Sequence, residues 1–277
     1  MRLPGRGPSR PGRAGSGISL AETGATLSLE RVTRAFGGLK AVADLDLSLA
    51  PGVLAGLIGP NGAGKTTVFN LVTGVYAPTS GKILLNGRGI QGLATSRIAS
   101  FGVSRTFQNP RLFQELTCYD NVRIACHLHA GATVWDSVWR TSRSESEEKD
   151  IDKRTRALLE AFGLTSYGQE KARNLPYGDQ RRLEIARALA TEPKLLLLDE
   201  PAAGMNPQES VQLMHLIKDV RDAYGLTVLL IEHDMKVVMG ICERITVLDH
   251  GVKIAEGKPE EIRADPKVIE AYLGEEV

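Results

Sequence analysis

Hydrophobic and polar residues alternate over the first part of the chain, as they do in half-buried β-strands. The alternation is regular over Leu27–Phe36 and again over residues 45–49. Residues 82–85 form another short strand-like run, and the Asn86-Gly87 pair that follows favours a tight hairpin turn. These three segments predict an antiparallel β layer.

The pattern changes to a helical period between about residues 92 and 175. The helical stretches are 95–101, 120–128 and 151–162. The charged, serine-rich run at 141–150 predicts a solvated loop or the end of a helix. Trp135 and Trp139 lie one helical turn apart, and two interpretations stay open. They anchor a helix on its own subdomain, which is ordinary packing for such a pair, or they form a docking face for a partner.

Uninterrupted apolar runs predict strands that are buried on both faces of a parallel sheet. The runs are 53–58, 195–198 and 228–231, and residues 245–248, which include Thr246, predict a further strand. Helices are predicted after three of them. Asn206, Pro207 and Glu209 have the residue types of an N-cap, a first helical position and a capping-box acid. Two short helices, at 259–263 and 266–273, end the chain.

Composition narrows the class of protein without identifying it. The chain has 277 residues, of which 34 are basic and 33 acidic, so its charge gives no indication of a nucleic-acid partner. Residues 1–22 are rich in Gly, Pro, Ser and Arg, with no acid before Glu22, which predicts a disordered basic extension. The alternative interpretation is that those arginines make a weak contact with anionic lipid.

Neither a membrane span nor a disulfide framework is predicted. No apolar run approaches the roughly 18 residues that a span requires. The three cysteines lack C-x-x-C spacing, which indicates a reduced, cytoplasmic compartment.

The stretch from Gly59 to Thr66 gives the first chemical signal. It reads GPNGAGKT, matches G-x-x-x-x-G-K-[ST], and lies between a predicted strand and a predicted helix. Its glycines let backbone N–H groups turn towards phosphate, and the helix N-terminus adds partial positive charge. Lys65 is predicted to bind the outer phosphates and the Thr66 hydroxyl to ligate Mg²⁺. The predicted nucleotide-binding residues of this loop are Gly59, Pro60, Asn61, Gly62, Ala63, Gly64, Lys65 and Thr66.

Hydrolysis of a bound nucleotide needs further groups, and the ends of two apolar runs supply them. Asp199 is predicted to be the carboxylate on the metal side, acting through water, and Glu200 to orient and polarise the attacking water. Their strand is of the kind that lies beside a phosphate loop. Two acids after a strand also cap helices, but Pro201 follows at once. His233 follows the next apolar run, at the ligand-binding edge of an open α/β sheet, where it suits a γ-phosphate contact.

These segments together resemble the ATP-binding-cassette (ABC) ATPases from about Leu27 to the end of the chain. The further motifs that carry the resemblance are Thr106-Phe107-Gln108-Asn109-Pro110, Leu175-Pro176-Tyr177-Gly178-Asp179-Gln180 and Ala202-Ala203-Gly204-Met205-Asn206-Pro207. The resemblance implies an α/β P-loop NTPase fold. It consists of a RecA-like mixed sheet core, an antiparallel β subdomain and an α-helical subdomain at about 92–177, within a domain spanning 23–277.

The same resemblance implies ATP and Mg²⁺ as cofactors and adds binding residues. It implies that Phe36 stacks on adenine with Val42 packed nearby, that Thr67 contacts the α-phosphate, and that Gln108 ligates Mg²⁺ and the γ-phosphate. In this family two ATPase domains close head to tail over two ATP molecules. Each ATP lies between the phosphate loop of one domain and the signature of the other.

Within the family, the chain most resembles the larger ATPase of branched-chain amino-acid importers, the LivG type. The features that carry this likeness are Arg105-Thr106-Phe107-Gln108-Asn109, Tyr177-Gly178, the segment 201–207, the long segment before Ile151 and the ending 271–275. It implies a second, different ATPase subunit, two transmembrane permease subunits and an extracytoplasmic solute-binding protein reached through the permease. It also implies a peripheral position on the cytoplasmic face of the plasma membrane.

The signature departs from the usual L-S-G-G-Q, because Pro176 replaces the serine and Tyr177 the first glycine. Proline has neither the hydroxyl nor a backbone N–H to offer a γ-phosphate. We therefore expect an asymmetric heterodimer in which the partner's nucleotide, facing Pro176, turns over more slowly.

Four alternatives remain open from the sequence. The same machine imports another small solute, such as urea or an amide. The chain serves lipopolysaccharide-type export, although Tyr177-Gly178 and residues 109–113 fit the importer pattern better. The chain is a soluble ABC protein of translation or DNA repair, although it has one cassette and no sustained heptads. It is a nucleotide-binding regulator without catalysis, although Lys65, Asp199, Glu200 and His233 are all intact.

Overall fold

The chain folds into two β-sheets with helices packed around them. A computed structural model describes residues 24–129 and 142–273. The predicted extension at residues 1–22 and the pair Trp135 and Trp139 lie outside the described residues. The strands are β1 (Leu27–Phe36), β2 (Leu39–Leu49), β3 (Leu54–Ile58), β4 (Ser80–Leu85), β5 (Arg88–Gly89), β6 (Val103–Arg105), β7 (Leu195–Asp199), β8 (Thr227–Ile231), β9 (Arg244–Asp249) and β10 (Val252–Gly257).

Helices follow most of the strands. They are α1 (Lys65–Val72), α2 (Thr95–Ala99), α3 (Cys118–Cys126), α4 (Ser142–Ala161), α5 (Tyr177–Ala190), α6 (Pro207–Tyr224), α7 (Met235–Ile241), α8 (Pro259–Ala264) and α9 (Pro266–Leu273). None of the described helices combines the length and the apolar character that a membrane span needs.

The smaller sheet is the predicted antiparallel layer. Its strand order is β2-β1-β4-β5, and all three pairings are antiparallel. The predicted hairpin between β4 and β5 is present, and Asn86 and Gly87 both take the positive φ that a tight turn requires, at 50° and 74°. Leu27 and Leu29 alternate with more exposed residues and are buried, so one face of this layer packs into the core.

The larger sheet has the order β10-β9-β3-β8-β7-β6. The pairings from β9 to β6 are parallel, whereas β10 is antiparallel to β9. Parallel strands that are covered on both faces need apolar residues throughout, and all five residues of β3, β7 and β8 are buried.

The sequence analysis gives no strand order for the larger sheet, and the structure supplies it. β8 lies between β3 and β7 and pairs with both. Because β7 and β8 are both almost entirely apolar, composition does not distinguish their places in a sheet. The consequence is useful for the site, since Glu200 and His233 leave neighbouring strands.

The region between 92 and 177 is mostly helical but also contains β6, which joins the larger sheet beside β7. Three residues are too few for a strand period to be visible in the sequence. The charged run at 141–150 is a helix end rather than a loop, because from Ser142 onward it forms the first half of α4. Helices α3, α4 and α5 pack together around Val122, Leu158 and Leu183.

The predicted cap of α6 is confirmed. The Asn206 side chain accepts a hydrogen bond from the Glu209 N–H at 2.9 Å, and the Glu209 carboxylate accepts one from the Asn206 N–H at 3.1 Å. This reciprocal pair fixes the point at which the chain turns from the loop after β7 into the helix.

We expect Asn206→Ala to lower the free energy of unfolding by about 1 kcal/mol, because it removes the acceptor of the capping box. Urea denaturation of the purified chain measures the change. Asn206→Ser, which retains an oxygen acceptor, is the matched control and should lose less. Equal stability of Asn206→Ala and the unmodified chain would contradict the cap assignment.

Candidate nucleotide site

The loop between β3 and α1 is pinned by close backbone contacts at two of its glycines. Gly59 has φ 147°, and a Cβ there would lie 2.0 Å from the Leu248 carbonyl oxygen. Gly64 has φ 99°, and a Cβ there would lie 2.4 Å from the Ala41 carbonyl oxygen. Neither position has room for a side chain, so the loop is held in one shape between the two sheets.

The N-terminus of α1 has the properties of an anion site. Its N-cap is Gly64, and no side chain caps the helix, so no side-chain acceptor there competes with a phosphate for the first-turn N–H groups. Lys65 is buried, and its Nζ donates hydrogen bonds to the carbonyls of Gly59 at 2.7 Å and Pro60 at 2.8 Å. Thr66 is exposed and Thr67 half-buried in the same turn. The loop therefore fits a phosphate chain.

Glu200 is held between the two other side chains that were predicted to surround the outer phosphate. Its Oε1 lies 2.6 Å from His233 Nε2, and its Oε2 accepts a hydrogen bond from Gln108 Nε2 at 2.8 Å. The carboxylate is 12% exposed and the imidazole 47% exposed. The structure thus brings Gln108, Glu200 and His233 from three separate segments into one cluster.

The backbone at Glu200 has an unusual conformation that sets the direction of its side chain. Glu200 has φ 48°, in the left-handed region that non-glycine residues seldom adopt. Its N–H still donates to the Ile231 carbonyl at 2.9 Å, as the last bond between β7 and β8. Holding such a residue costs on the order of 1–3 kcal/mol, which the surrounding contacts must offset.

Asp199 is paired with a cation that the sequence analysis gave no role of its own. Arg105 Nη2 donates to Asp199 Oδ2 at 2.7 Å, and Arg105 Nη1 donates to Asn70 Oδ1 at 2.6 Å. The two charged side chains are 8% and 6% exposed. The guanidinium also lies near the rings of Phe69 and Phe107. The pair orients one carboxylate oxygen towards β6 and satisfies a charge that would otherwise be buried alone.

The donors around this point suit a magnesium ion that arrives with a nucleotide. Among the described residues no group of three or more His, Cys, Asp or Glu side chains could enclose a metal by itself. Mg²⁺ is commonly held by one or two carboxylates together with substrate phosphates and water. One carboxylate, Asp199, beside a phosphate loop with a hydroxyl at Thr66 fits that requirement.

The predicted adenine contacts lie at the edge of the smaller sheet. Phe36 ends β1 and is 39% exposed as a residue, and its ring meets Tyr76 edge to face at a centroid distance of 5.1 Å. The guanidinium of Arg34 covers one face of the Phe36 ring. Val42 is buried on β2, and its Cγ2 would lie 3.5 Å from a Cβ placed on Gly64. Val42 therefore packs directly against the phosphate loop.

Two buried charged residues on α5 clamp the backbone around Gln108, and the sequence analysis missed both of these contacts. Arg181 is 1% exposed and donates to the carbonyls of Phe107, at 2.8 Å, and Gln108. Glu184 is 2% exposed and accepts from the N–H groups of Phe107 and Arg111, each at 3.2 Å. Burial raises the pKa of the Glu184 carboxyl. The available signal was two charges, three residues apart, on the apolar side of a helix.

The signature-like segment begins α5, the helix that carries this clamp. Pro176 is the N-cap, and it offers no side-chain cap. The Tyr177 ring is 41% exposed, and its Cε1 would lie 3.2 Å from a Cβ placed on Gly204. Tyr177 therefore contacts the loop that follows Glu200, so the signature-like segment is connected to the part of the chain that presents Glu200.

Comparison with known proteins places these features in one family. The sequence model of the family described as ABC transporter matches residues 42–203. The model described as Branched-chain amino acid ATP-binding cassette transporter matches residues 252–277.

Curated relatives match over nearly their whole length. The chain is 48% identical over 249 residues to the Escherichia coli K12 high-affinity branched-chain amino acid transport ATP-binding protein LivG, covering 90% of this chain and 98% of LivG. It is 47% identical to BraF of Pseudomonas aeruginosa, described in the same words, with the same two coverages. It is 34% identical over 252 residues to the lipopolysaccharide export system ATP-binding protein LptB of E. coli K12, covering 91% of this chain and 98% of LptB.

Solved structures agree with the fold. The ADP conformation of MJ1267, an ATP-binding cassette of an ABC transporter, has a TM-score of 0.78 and 30% identity, and the match covers 91% of this chain and 99% of that one. A nucleotide-free ATP-binding cassette from an ABC transporter has a TM-score of 0.77 and 31% identity, with coverages of 91% and 100%. Both chains share the mixed α/β architecture described above.

We expect Arg181→Met to lower the free energy of unfolding by about 3–5 kcal/mol, because it breaks the buried ion pair between Arg181 Nη1 and Glu184 Oε2, 3.4 Å apart, and leaves Glu184 buried without its cation. Urea denaturation measures the loss. Arg156→Met is the matched control, since Arg156 pairs with Asp152 on the exposed side of α4 and should contribute little. Similar losses for the two variants would contradict the clamp.

Proposed function

The chain belongs to the ABC transporter family of ATPases, and we propose that it hydrolyses ATP to energise an importer of branched-chain amino acids. The observation that carries the ATPase part is the position of Glu200, between Gln108 and His233 at the ends of neighbouring strands. The cargo part is supported by 48% identity over 249 residues to the E. coli LivG protein.

In the proposed reaction, the phosphate loop holds ATP and the end of the larger sheet acts on its outer phosphate. Phosphate oxygens take the place of the Gly59 and Pro60 carbonyls as acceptors for Lys65, and the first-turn N–H groups of α1 donate to the remaining oxygens. Phe36 stacks on adenine with its uncovered face, and Thr67 contacts the α-phosphate.

Glu200 orients and polarises the attacking water, and His233 contacts the γ-phosphate. Both roles require the two side chains to be near one another, as their 2.6 Å separation provides. The 12% exposure of Glu200 against 47% for His233 leaves the imidazole as the side chain that a bound phosphate can reach from solvent.

We assign the metal role to Thr66, Gln108 and Asp199. Mg²⁺, when bound there, neutralises charge on the outer phosphates. Arg105 keeps one oxygen of Asp199 directed away from the nucleotide, so the other oxygen is the one available to a metal-bound water.

The proposed assembly contains a second, different ATPase subunit, two permease subunits and an extracytoplasmic binding protein. In it the chain lies peripherally at the cytoplasmic face of the plasma membrane. Each ATP lies between the phosphate loop of one ATPase subunit and the signature of the other. No partner among nucleic acids is proposed, because the chain's charges are balanced at 34 basic and 33 acidic residues.

The cargo is tested by uptake of labelled leucine in cells that lack this gene and receive either the unmodified gene or Glu200→Gln. We expect the unmodified gene alone to restore uptake, because the variant cannot polarise water. Equal uptake in all strains would remove leucine as the cargo and direct the search to urea and other small solutes.

Nucleotide binding by the purified chain separates loss of chemistry from loss of binding. Glu200→Gln should bind ATP as the unmodified chain does, whereas Lys65→Ala should bind it at least tenfold more weakly, because it lacks the cation for the outer phosphates. Unchanged affinity in Lys65→Ala would contradict the assignment of the phosphate loop.

The two ATP sites are expected to be unequal because Pro176 stands where the family signature has serine. Its lost charge-assisted hydrogen bonds are worth about 1.5–3 kcal/mol each. Replacing the catalytic glutamate by glutamine in this chain should therefore abolish most ATPase activity of the complex. The same change in the partner ATPase subunit should reduce it much less. Equal losses would overturn the asymmetric arrangement.

A further inference from the structure

Glu232 is a buried acid at the carboxyl end of β8 that none of the roles above uses. It is 4% exposed and stands between the last residue of the strand and His233. Burial raises the pKa of its carboxyl group. A carboxylate is costly to bury unless it accepts hydrogen bonds, so its partners indicate why it is retained.

Both carboxylate oxygens of Glu232 accept backbone hydrogen bonds from segments of the hydrolytic site. Oε1 accepts from the Ala202 N–H at 2.7 Å, and Oε2 accepts from the His233 N–H at 3.3 Å. Ala202 lies two residues beyond Glu200, within the turn that leaves β7. One side chain therefore joins the two chain segments that present Glu200 and His233.

This connection lies beyond the point where backbone hydrogen bonds join β7 to β8. The last backbone bond between β7 and β8 runs from the Glu200 N–H to the Ile231 carbonyl. Beyond it, Glu200 adopts φ 48° and its chain turns away from β8. From there on, the Glu232 carboxylate connects the end of β8 to the turn after β7 through its hydrogen bond with the Ala202 N–H. The distance from Glu200 Oε1 to His233 Nε2 depends on both of these anchored segments.

We propose that Glu232 is a positioning residue for ATP hydrolysis, which fixes the His233 backbone relative to the turn that carries Glu200. The inference rests on the proposed function, because it acts through the roles assigned there to Glu200 and His233. It predicts an effect on the rate of the chemical step rather than on nucleotide binding, since the hydrogen bonds of Glu232 go to Ala202 and His233 and not to the phosphate loop. A misplacement of about 1 Å near reacting groups can reduce a rate about 100-fold.

The test is a double-mutant cycle in the intact transporter complex, purified through a tag on this chain. Glu232→Gln retains the shape but puts an amide NH₂ against one of the two N–H groups. We expect kcat for ATP hydrolysis to fall on the order of tenfold or more, with KM for ATP changed less than about twofold. In a His233→Ala background the same substitution should reduce kcat by less than about twofold, because the group it positions is absent.

A purely structural role for Glu232 gives a different result. The loss in kcat would then be the same in both backgrounds, or the change would appear in KM, and either result overturns the proposal. Glu232→Asp is the second variant, because it keeps the charge but is too short to reach both N–H groups. It should show the same drop in kcat and the same dependence on His233.

Thr227→Val is the control for stability. Thr227 is buried at the start of the same strand, and its hydroxyl donates to the Ala25 carbonyl at 2.7 Å and accepts from the Gly52 N–H at 3.0 Å. We expect it to lower the thermal midpoint at least as much as Glu232→Gln while leaving kcat unchanged. If kcat fell in proportion to the thermal midpoint in both Thr227→Val and Glu232→Gln, the loss of activity would come from lost stability, and the positioning role would be contradicted.

Glu200→Gln in the same complex distinguishes failure of the inference from failure of the proposed function. If Glu200→Gln is inactive and the Glu232 effects are additive with His233→Ala, the positioning role alone is wrong. If Glu200→Gln retains normal turnover, the hydrolytic assignment itself is wrong, and the Glu232 proposal falls with it.

Discussion

The parallel pairing of β3, β8 and β7 is the constraint on which the site depends. Parallel strands deliver their carboxyl ends to one edge of a sheet, so the phosphate loop, His233 and Glu200 leave the sheet on the same side. The phosphate loop lies more than 130 residues before Glu200, and Glu200 lies 33 residues before His233, so no interaction between chain neighbours could bring them together. Burial of every residue in these strands fixes their register, because a slip by one residue would break the packing on both faces.

Charged residues with little exposure then set the finer geometry around that edge. Arg105 directs one oxygen of Asp199, Glu232 joins the two strand ends, and Arg181 with Glu184 holds the backbone of Gln108. Each of these groups is buried and hydrogen-bonded, so each gives direction to its partner at the cost of desolvation. The arrangement favours rigid placement of Gln108, Asp199, Glu200 and His233 over maximal stability of the fold.

Features that are local in sequence could be predicted, and features that depend on distant contacts could not. The phosphate loop, the α6 cap and the buried strands each need only a few consecutive residues to be recognised. The position of β8 between β3 and β7 depends on choosing between equally apolar runs. The contact of Glu184 with Arg111 spans 73 residues, and no pattern around either residue indicates the other. The family resemblance identified Gln108 as a site residue, but it did not identify Arg181 and Glu184, which hold the backbone around Gln108.

The contacts of Arg181 and Glu184 also bear on the replacement of the signature serine by Pro176, because all three residues belong to the same helix and its cap. Pro176 caps the helix whose Arg181 and Glu184 grip the backbone at Gln108, and Tyr177 rests on the loop after Glu200. The segment that faces a partner's nucleotide in the proposed heterodimer is thus attached to two parts of this chain's own site. Loss of a phosphate contact at Pro176 does not weaken the attachment of α5 to the backbone around Gln108, since that attachment uses Arg181 and Glu184, further along the helix. In the proposed heterodimer, the helix that follows Pro176 therefore still connects the interface to this chain's Gln108 and Glu200, even where the phosphate contact at Pro176 is lost.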